Sequence, residues 1–382
     1  MKNKIGFLTA TALVVANMIG TGVFTSLGFQ TGALPDVTVL MLLWLCGGIV
    51  ALCGGFCYIE LARLFPGSGG EYHYLKSAYH PWAGQMARIV SVLAGFAAPV
   101  ALSALAFSAY LAQLLQQVDV KVSAIAVITV ITGFHCFTLK LGSRFQLITT
   151  LLKLLLILVF IIAGLAHSGI SYSKELQIST TAELVFSPAF ASSLVYVSFA
   201  YSGWNASVYI FDEIAMPLRN IRLSITLGTL LVTVLYVLLN YIFLKVVPLQ
   251  ELTGVIEVGA LAAEKIFGAS VAKLVSGMVS LLLVSGMSAM IWVGPRVIKP
   301  GSDGIPLGAV LAQYSITVAL VLSGGFLEIL ANTAILLNVC SCMAVSILLV
   351  NYRKIQRLVI LPALVFLSAT LWASYYLLFQ LL

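Results

Sequence analysis

The stretch MIGTGVF at residues 18–24 interrupts a long apolar segment with small residues near its middle. The stretch FAYSGWN at residues 199–205 interrupts another apolar segment in the same way. In lipid, a broken helix is tolerated only where its released N–H and C=O groups face protein or a water-filled cavity. Two such breaks, each in the first apolar segment of one half of the chain, are typical of a secondary-transporter substrate site.

The composition calls for a bilayer around the chain. Of its 382 residues, 61% are hydrophobic and only 9% are charged, which is more apolar residue than a soluble core absorbs. The first apolar segment is too long for a cleaved signal peptide and is followed by many more. The apolar segments predict eleven transmembrane spans: 5–28, 38–63, 82–112, 119–138, 143–166, 188–211, 222–247, 270–293, 305–325, 328–350 and 357–381.

The distribution of lysine and arginine predicts the orientation of these spans. With the N-terminus in the cytoplasm, 14 basic residues lie at inner span ends, 5 lie at outer ends, and Lys153 lies within a span. The sequence therefore predicts a multi-pass protein of the cell's inner (plasma) membrane, with a C-terminus outside after an odd number of spans. The formal charge of +7 then reflects this inner-face excess rather than nucleic-acid binding.

The spacing of the two breaks predicts an inverted repeat. Five spans precede residue 170 and five more follow, so the second set enters the membrane in the opposite orientation. We therefore expect an all-α integral membrane protein with a five-plus-five inverted repeat and discontinuous spans 1 and 6. The predicted units are residues 1–170, residues 171–352, and a peripheral eleventh span in residues 353–382.

The breaks themselves predict a site for a zwitterion. Unwinding at residues 19–22 would leave the N–H groups of Thr21, Gly22 and Val23 free, and a helix N-terminus binds anions. The carbonyls before each break, at Met18 and Ile19 and at Phe199 and Ala200, would suit an ammonium group. The alternative is simple helix packing through small residues, which a pair of breaks makes less attractive.

Lys153 is the second candidate for function. It lies ten residues into the fifth span, roughly 15 Å deep at about 1.5 Å per residue. An ammonium at that depth is costly unless it is paired or hydrated, and snorkelling to the surface is difficult from there. Its helical face also carries Gln146, Thr149 and Thr150.

Other polar positions give weaker signals. Stripes of polar residues on spans 1, 7 and 8 favour a polar cavity and single out Tyr236, although such residues usually form ordinary interhelical hydrogen bonds. Glu60, Asp212 and Glu213 could gate the inner face or simply form surface ion pairs. The stretch PGSGGEYHY at residues 66–74 lacks the context of a nucleotide loop and predicts a turn or re-entrant loop.

The sequence gives no support to an enzyme. It has no metal-binding histidine pair, no nucleophile motif and no paired catalytic acids, so we expect no catalytic residues, no metal and no cofactor. The six cysteines all fall in apolar spans, which is typical of core thiols rather than of a disulfide framework.

Several motifs taken together resemble the amino acid–polyamine–organocation superfamily. They occur in order as residues 19–24, 65–72, 199–205, 217–221 and 294–296. Within that superfamily the chain is most similar to the L-type amino acid transporters and their bacterial relatives. The resemblance implies the fold of bacterial leucine transporters, with spans 1 and 6 binding the substrate's α-carboxylate and α-amino groups through backbone.

The resemblance also assigns roles to individual residues. Phe199 matches an aromatic residue that closes over bound substrate, and Asn205 matches a polar residue on the inner half of span 6. Lys153 matches a lysine that occupies the place of an ion in sodium-coupled relatives, which implies sodium-independent transport. The predicted substrate-binding residues are Met18, Ile19, Gly20, Thr21, Gly22, Val23, Phe199, Ala200, Ser202, Asn205 and Tyr236.

The chain departs from the family pattern at three places. Eleven spans are expected where the family usually has twelve, and the linker at 299–304 is shorter than usual. The outer loop 113–121 lacks the cysteine through which animal relatives join an ancillary glycoprotein. We therefore expect amino acids and the lipid bilayer as partners, with no nucleic acid and no disulfide-linked subunit.

The predicted function is sodium-independent transport of small neutral L-amino acids, such as alanine, serine, cysteine or threonine, by alternating access and as an exchanger. In the family, carriers of large aromatic substrates have glycine at the position of Ser202, so its side chain predicts a smaller pocket walled also by Phe199 and Tyr236. The alternatives are a proton-coupled symporter of the same fold, with Lys153 titrating, and an amino-acid sensor without transport.

Overall fold

A computed structural model describes residues 4–115, 119–137, 143–168, 178–298 and 306–381. Parts of the sequence predictions lie outside the described residues: Lys2, Lys140, Lys174, Lys299, the whole linker 299–304 and part of the outer loop 113–121. The same holds for the side chains of Arg144, Gln146, Thr149 and Arg296.

The described residues form helices, numbered α1 to α18 in chain order, and a single isolated β-bridge. The spans are α1–α2 (Phe7–Met18, Gly22–Thr25), α4 (Val37–Leu64), α6–α7 (Pro81–Val90, Ala98–Ala112), α8 (Val120–Phe137), α9 (Ser143–Ala166), α11 (Pro188–Ala200) with the 3-10 helix Ala206–Glu213, α12 (Pro217–Val246), α15 (Ala269–Ile298), α16 (Leu307–Ser323), α17 (Phe326–Val350) and α18 (Ile360–Leu381). The connecting helices are α3 (Leu27–Gln30), α5 (Gly70–Ala78), α10 (Ile178–Val185), α13 (Leu249–Leu252) and α14 (Val258–Phe267).

The all-α membrane fold is confirmed. Seven of the described helices are long and apolar enough to cross a bilayer, and four shorter apolar helices complete the predicted spans. Many large apolar side chains point outward, including Ile162 at 68% exposure and Leu274 at 65%. Such an apolar surface is stable in lipid, where it needs no protein partner.

Local sequence explains where α4 and α11 begin. Asp36 precedes α4 and accepts hydrogen bonds from the N–H groups of Thr38 (2.9 Å) and Val39 (3.1 Å). Ser187 precedes α11 and accepts one from the N–H of Phe190 (3.2 Å), with Pro188 at the first helical position. Spans 1 and 6 are discontinuous, as predicted, because α1 ends at Met18 and α11 ends at Ala200.

Three features were not predicted. Ser91–Ala97 form a π-helical segment inside span 3, and the glycine-rich connection after α4 continues into α5. The connection between α12 and α15 contains the single-turn helix α13 before α14. These elements depend on tertiary packing, which local apolar periodicity does not record.

The spans pack so that α12 lies against α1, α4 and α9, while α15 lies against α7 and α9. The second half of span 1, α2, contacts α11 and α14. The division into repeats and the orientation in the membrane remain predictions. We call the end of the bundle that is predicted to face the cytoplasm the inner end.

Candidate functional site

The two helix breaks lie against each other. A Cβ atom on Gly22 would lie 2.5 Å from the Cα of Ala200, so the first break closely approaches the second. A Cβ atom on Gly203 would lie 2.8 Å from the carbonyl carbon of Asn17, and Gly203 has a φ of +102°. Glycine at both positions is therefore what allows the backbones to cross at this distance.

The carbonyl groups at the first break are already bonded to side chains. The hydroxyl of Tyr236 donates to the carbonyl of Met18 (2.6 Å), and Lys153 Nζ donates to the carbonyl of Ile19 (3.1 Å). The sequence predicted these two carbonyls as acceptors for a ligand's ammonium. In the structure they accept from the protein itself.

The amide groups at the first break are open. Within the described part of the chain, the N–H groups of Thr21, Gly22 and Val23 make no hydrogen bond, whereas the N–H of Phe24 donates to the carbonyl of Thr21 (3.0 Å). Ser26 is also α-helical, so α2 continues almost directly into α3. Open N–H groups at the start of a helical stretch favour a bound anion.

The second break is closed mainly by its own turns. The N–H of Tyr201 donates to the carbonyl of Val197 (3.0 Å), and the N–H of Ser202 donates to that of Phe199 (3.0 Å). No described residue donates to the carbonyl of Ala200. The sequence predicted the carbonyls of Phe199 and Ala200 as acceptors for a ligand. The Ala200 carbonyl is available for this role, whereas the Phe199 carbonyl already accepts from Ser202.

Lys153 is buried, with 6% of its surface exposed, and links the first break to two other spans. It projects from α9 to the Ile19 carbonyl on span 1, and a Cβ on Gly286 of α15 would lie 3.9 Å from its Nζ atom. The ion pairs of the described residues are Arg63–Glu60 and Lys265–Glu251, so Lys153 bonds a carbonyl rather than a carboxylate. The geometry therefore places a positive charge beside the break.

An aromatic cluster supports the site from span 2. The ring of Tyr236 lies 5.1 Å from that of Tyr201 and 5.8 Å from that of Trp44. The Tyr201 hydroxyl donates to the carbonyl of Trp44 (3.0 Å), and Trp44 Nε1 donates to Gln30 Oε1 (2.9 Å). Sequence reasoning missed Trp44 and Gln30, because neither lies in a break or a polar stripe.

The polar stripes of spans 1 and 7 mostly bond within their own helices. Thr25 donates to the carbonyl of Thr21 (3.0 Å), Thr233 to that of Thr229 (2.8 Å), and Asn240 to that of Tyr236 (2.8 Å). On span 8, the Ser288 hydroxyl lies 2.8 Å from His135 Nε2 on α8. These contacts lower the cost of polar groups in the membrane and leave few side chains for a ligand.

Asn205 lies on the inner side of the second break. Its Nδ2 donates to Glu71 Oε1 (2.8 Å), a residue of α5 that sequence reasoning did not select. Phe199 and Ser202 remain at the break, where Phe199 is 7% exposed and Ser202 is partly exposed. The predicted site residues thus gather at the crossing of spans 1 and 6, with Asn205 turned toward the inner end.

The acidic residues predicted as a possible inner gate have separate partners. Glu60 pairs with Arg63 (2.7 Å) and accepts from the N–H of Gln356 (2.8 Å). Asp212 accepts from the N–H of Ser68 (3.1 Å). At Glu213 the carbonyl accepts from the N–H of Ile5 (2.9 Å), which forms part of the β-bridge between Ile5 and Ile214.

Comparison with known proteins agrees with this architecture. Residues 5–303, more than half of the chain, match the family model described as amino acid permease. The mouse b(0,+)-type amino acid transporter 1 is 30% identical over 258 residues, which cover 66% of this chain and 53% of the mouse protein. The rabbit protein of the same name is 31% identical over the same shares of the two chains.

A second group of relatives matches over a longer stretch. The human large neutral amino acids transporter small subunit 2 is 28% identical over 325 residues, which cover 83% of this chain and 61% of the human protein. The matched region thus spans between about half and three fifths of the length of these relatives. On the family match and the helix architecture, this chain belongs to the amino acid permease family.

Proposed function

We propose that this chain transports small neutral L-amino acids across the membrane, without sodium, by alternating access and as an exchanger. The observation that carries the proposal is the pair of crossing breaks, which presents open N–H donors on one side and an open carbonyl on the other. A free amino acid carries a carboxylate and an ammonium on one carbon atom, so a single ligand satisfies both.

The carboxylate would bind the first break. The N–H groups of Thr21, Gly22 and Val23 are the open donors there, and Lys153 adds a positive charge behind the Ile19 carbonyl. The helical stretch beginning at Gly22 places the positive end of its dipole at the same point. These groups favour an anion without requiring a basic side chain to contact it.

The ammonium would bind the second break. The carbonyl of Ala200 is the acceptor with no partner among the described residues, and it lies beside Gly22 of the first break. A buried acceptor without a partner costs free energy, which a ligand's ammonium would recover on binding. The two halves of the zwitterion site are therefore adjacent.

Lys153 supports independence from sodium. Its Nζ atom holds the Ile19 carbonyl, and backbone carbonyls at broken helices are the groups that coordinate ions in coupled transporters. A fixed ammonium at that carbonyl would supply the positive charge that a bound ion supplies elsewhere. Uptake would then need no sodium gradient.

The side chains near the breaks favour small substrates. Phe199 and Ser202 lie at the second break, and the bulky cluster of Trp44, Tyr201 and Tyr236 fills space behind it. One relative is named as a transporter of large neutral amino acids, so the preference proposed for this chain rests on Ser202 and its neighbours rather than on that name. A misfit of one methylene is worth about 1–3 kcal/mol, so the preference would be graded.

We further propose that the chain works without a disulfide-linked subunit. All six cysteines lie on the apolar helices α4, α8 and α17, at positions 46, 53, 57, 136, 340 and 342. The expected band on a non-reducing gel of native membranes is that of the unlinked chain. A higher band that disappears on reduction would contradict this part of the proposal.

Uptake into proteoliposomes tests the transport proposal. Purified protein would be reconstituted into vesicles that are empty or loaded with unlabelled alanine, and labelled alanine would be added outside. We expect uptake at least several-fold faster into loaded vesicles, unchanged when choline replaces sodium. Uptake that requires a pH gradient would favour the symporter, and binding without any uptake would favour the sensor.

A further inference from the structure

The glycine-rich connection at residues 66–72 is fastened to the inner half of span 6, which is the 3-10 helix Ala206–Glu213. The N–H of Gly69 donates to the carbonyl of Tyr209 (3.2 Å). Ser68 and Asp212 exchange two bonds, one from the N–H of Ser68 (3.1 Å) and one from the N–H of Asp212 (2.9 Å). A Cβ on Gly70 would lie 2.7 Å from the Tyr209 ring, so this glycine makes room for the tyrosine.

Glu71 forms the centre of this contact. It is 5% exposed, and its carboxylate accepts three hydrogen bonds. The donors are the hydroxyl of Tyr58 on α4 (2.7 Å), Asn205 Nδ2 (2.8 Å) and the hydroxyl of Tyr209. Since the ion pairs of the described residues lie elsewhere, these neutral donors are what holds the carboxylate there.

The three donors come from elements that border the inner side of the site. Tyr58 belongs to span 2, Asn205 directly follows the second break, and Tyr209 belongs to the inner half of span 6. The inner half of span 6 cannot move away from α4 and α5 while Glu71 bonds all three. Hydrogen bonds to a carboxylate are stronger than those between neutral groups, and Glu71 accepts three of them in this contact.

We propose that Glu71 is a gating residue, which latches the inner end closed by joining Tyr58, Asn205 and Tyr209, and which must release them before a substrate can leave toward the inner face. This inference rests on the proposed function, because a latch has meaning only if the inner end opens. Through Asn205, the latch joins the substrate site directly, so movement at the second break alters the bonds of Glu71.

Two buried serines provide reporters for the test. Ser207 lies in the inner half of span 6 and Ser26 lies in the outer half of span 1. Both are fully buried, and both hydroxyls lack a hydrogen-bond partner among the described residues, so cysteine is a mild replacement at either position. Each variant, Ser207→Cys or Ser26→Cys, would be treated with a charged thiol reagent, and mass spectrometry of the peptide would separate the new cysteine from the native six.

Glu71→Gln keeps the size of the side chain and removes the charge. We expect it to raise the modification rate at position 207 at least tenfold, from the inner face, and to leave the rate at position 26 unchanged. Glu71→Asp, which retains the charge, should give a smaller increase. The matched control is Glu264→Gln, an exposed position on α14, which should change neither rate.

Three outcomes would overturn the latch. The first is a modification rate at position 207 that is the same with and without Glu71→Gln, and the second is an equal increase at positions 207 and 26, which would indicate general loosening. The third is a larger increase at position 207 in Glu71→Asp than in Glu71→Gln. If Glu71→Gln does not fold, Tyr58→Phe and Tyr209→Phe each remove one donor and should raise the rate at position 207 two- to fivefold. Faster modification in a protein that shows no uptake would support the latch and reject the proposed transport.

Discussion

The two helix breaks each interrupt an apolar span but are held in different ways. At the first break, side chains from other spans, Tyr236 and Lys153, donate to the carbonyls of Met18 and Ile19. At the second break, the backbone closes its own turns, and Tyr201 and Asn205 donate outward to α4 and α5. The two breaks therefore resemble each other in sequence pattern but differ in the contacts that hold them.

This difference explains which groups are left for a ligand. At the first break, the two carbonyls before it already accept hydrogen bonds, whereas the N–H groups of Thr21, Gly22 and Val23 have no acceptor among the described residues. At the second break, the carbonyl of Ala200 has no donor among the described residues. A symmetric pair of breaks would present the same groups twice, which suits two identical ligand groups better than a zwitterion. This division of donors and acceptors is what favours a zwitterion in the proposed function.

The largest expected effect is that of Lys153→Ala, which removes the cation at the first break. We expect uptake to fall about a hundredfold or more while the protein still inserts and folds, because an intramembrane charge is retained for function rather than for stability. Proteoliposome uptake and a thermal melt in detergent measure the two properties.

The matched control for that variant is Lys245→Ala. Lys245 Nζ also donates to backbone carbonyls, those of Gly164 (3.0 Å) and Leu165 (3.2 Å), but from the last turn of α12 rather than to residues of a break. Its uptake should stay near that of the unchanged protein. Near-normal uptake in Lys153→Ala would mean that the first break does not depend on the cation.

The next effect is expected at the second break, from Gly203→Ala. The new Cβ would lie 2.8 Å from the Asn17 carbonyl carbon, and the φ of +102° disfavours any side chain at a cost of about 1–2 kcal/mol. We expect a loss of uptake of about tenfold or more and a lower melting temperature.

Gly254→Ala separates the two causes. Gly254 also has a positive φ, of +78°, but nothing lies within 4 Å of its added Cβ. The variant Gly254→Ala should lower the melting temperature through backbone strain but leave uptake unchanged. If both variants lose uptake equally, close approach of the two breaks is not what Gly203 provides.

A smaller effect is expected from Tyr236→Phe. This change removes one hydrogen bond to the Met18 carbonyl, worth about 1 kcal/mol, so uptake should fall roughly fivefold. The loss should be the same for alanine and serine, since the hydroxyl holds the break. A loss of uptake confined to serine would show instead that the hydroxyl binds the substrate side chain. The control for removing a tyrosine hydroxyl is Tyr241→Phe, at a half-exposed position, which should leave uptake unchanged.

The smallest effect is expected from Ser202→Gly, which removes a hydroxymethyl group at the second break. Total alanine uptake should change little, but phenylalanine should compete better than it does with the unchanged protein. Competition against labelled alanine measures this range. Stronger competition by phenylalanine or tryptophan than by alanine in the unchanged protein would reject the small pocket.

Much of the fold could be predicted from the sequence, because lipid enforces long apolar helices. The predicted spans agree with the observed helices to within a few residues, as at α4 and α17, and the breaks after Met18 and after Ala200 follow from small residues in apolar segments. A buried lysine was also recognisable, since an ammonium at such depth is rare.

The rest of the site depends on contacts between distant parts of the chain. Nothing local indicates that Tyr236 and Lys153 occupy the carbonyls of Met18 and Ile19, which lie 218 and 134 residues away in sequence from their donors. The sequence predicts a loop at Glu71 and does not indicate its burial, because that burial depends on Tyr58, Asn205 and Tyr209 from other elements. The signal in the sequence that could have singled out Glu71 is a carboxylate directly after a cluster of glycines.

Binding of substrate fragments tests the central claim, that the two breaks share one zwitterion. Displacement of labelled alanine from purified protein would be measured with alanine, with propionate, which lacks the ammonium, and with alaninamide, which lacks the carboxylate. Because each fragment leaves one buried group at the breaks unpaired, we predict that both bind at least a hundredfold more weakly than alanine. Displacement by either fragment at concentrations close to those of alanine would contradict the account.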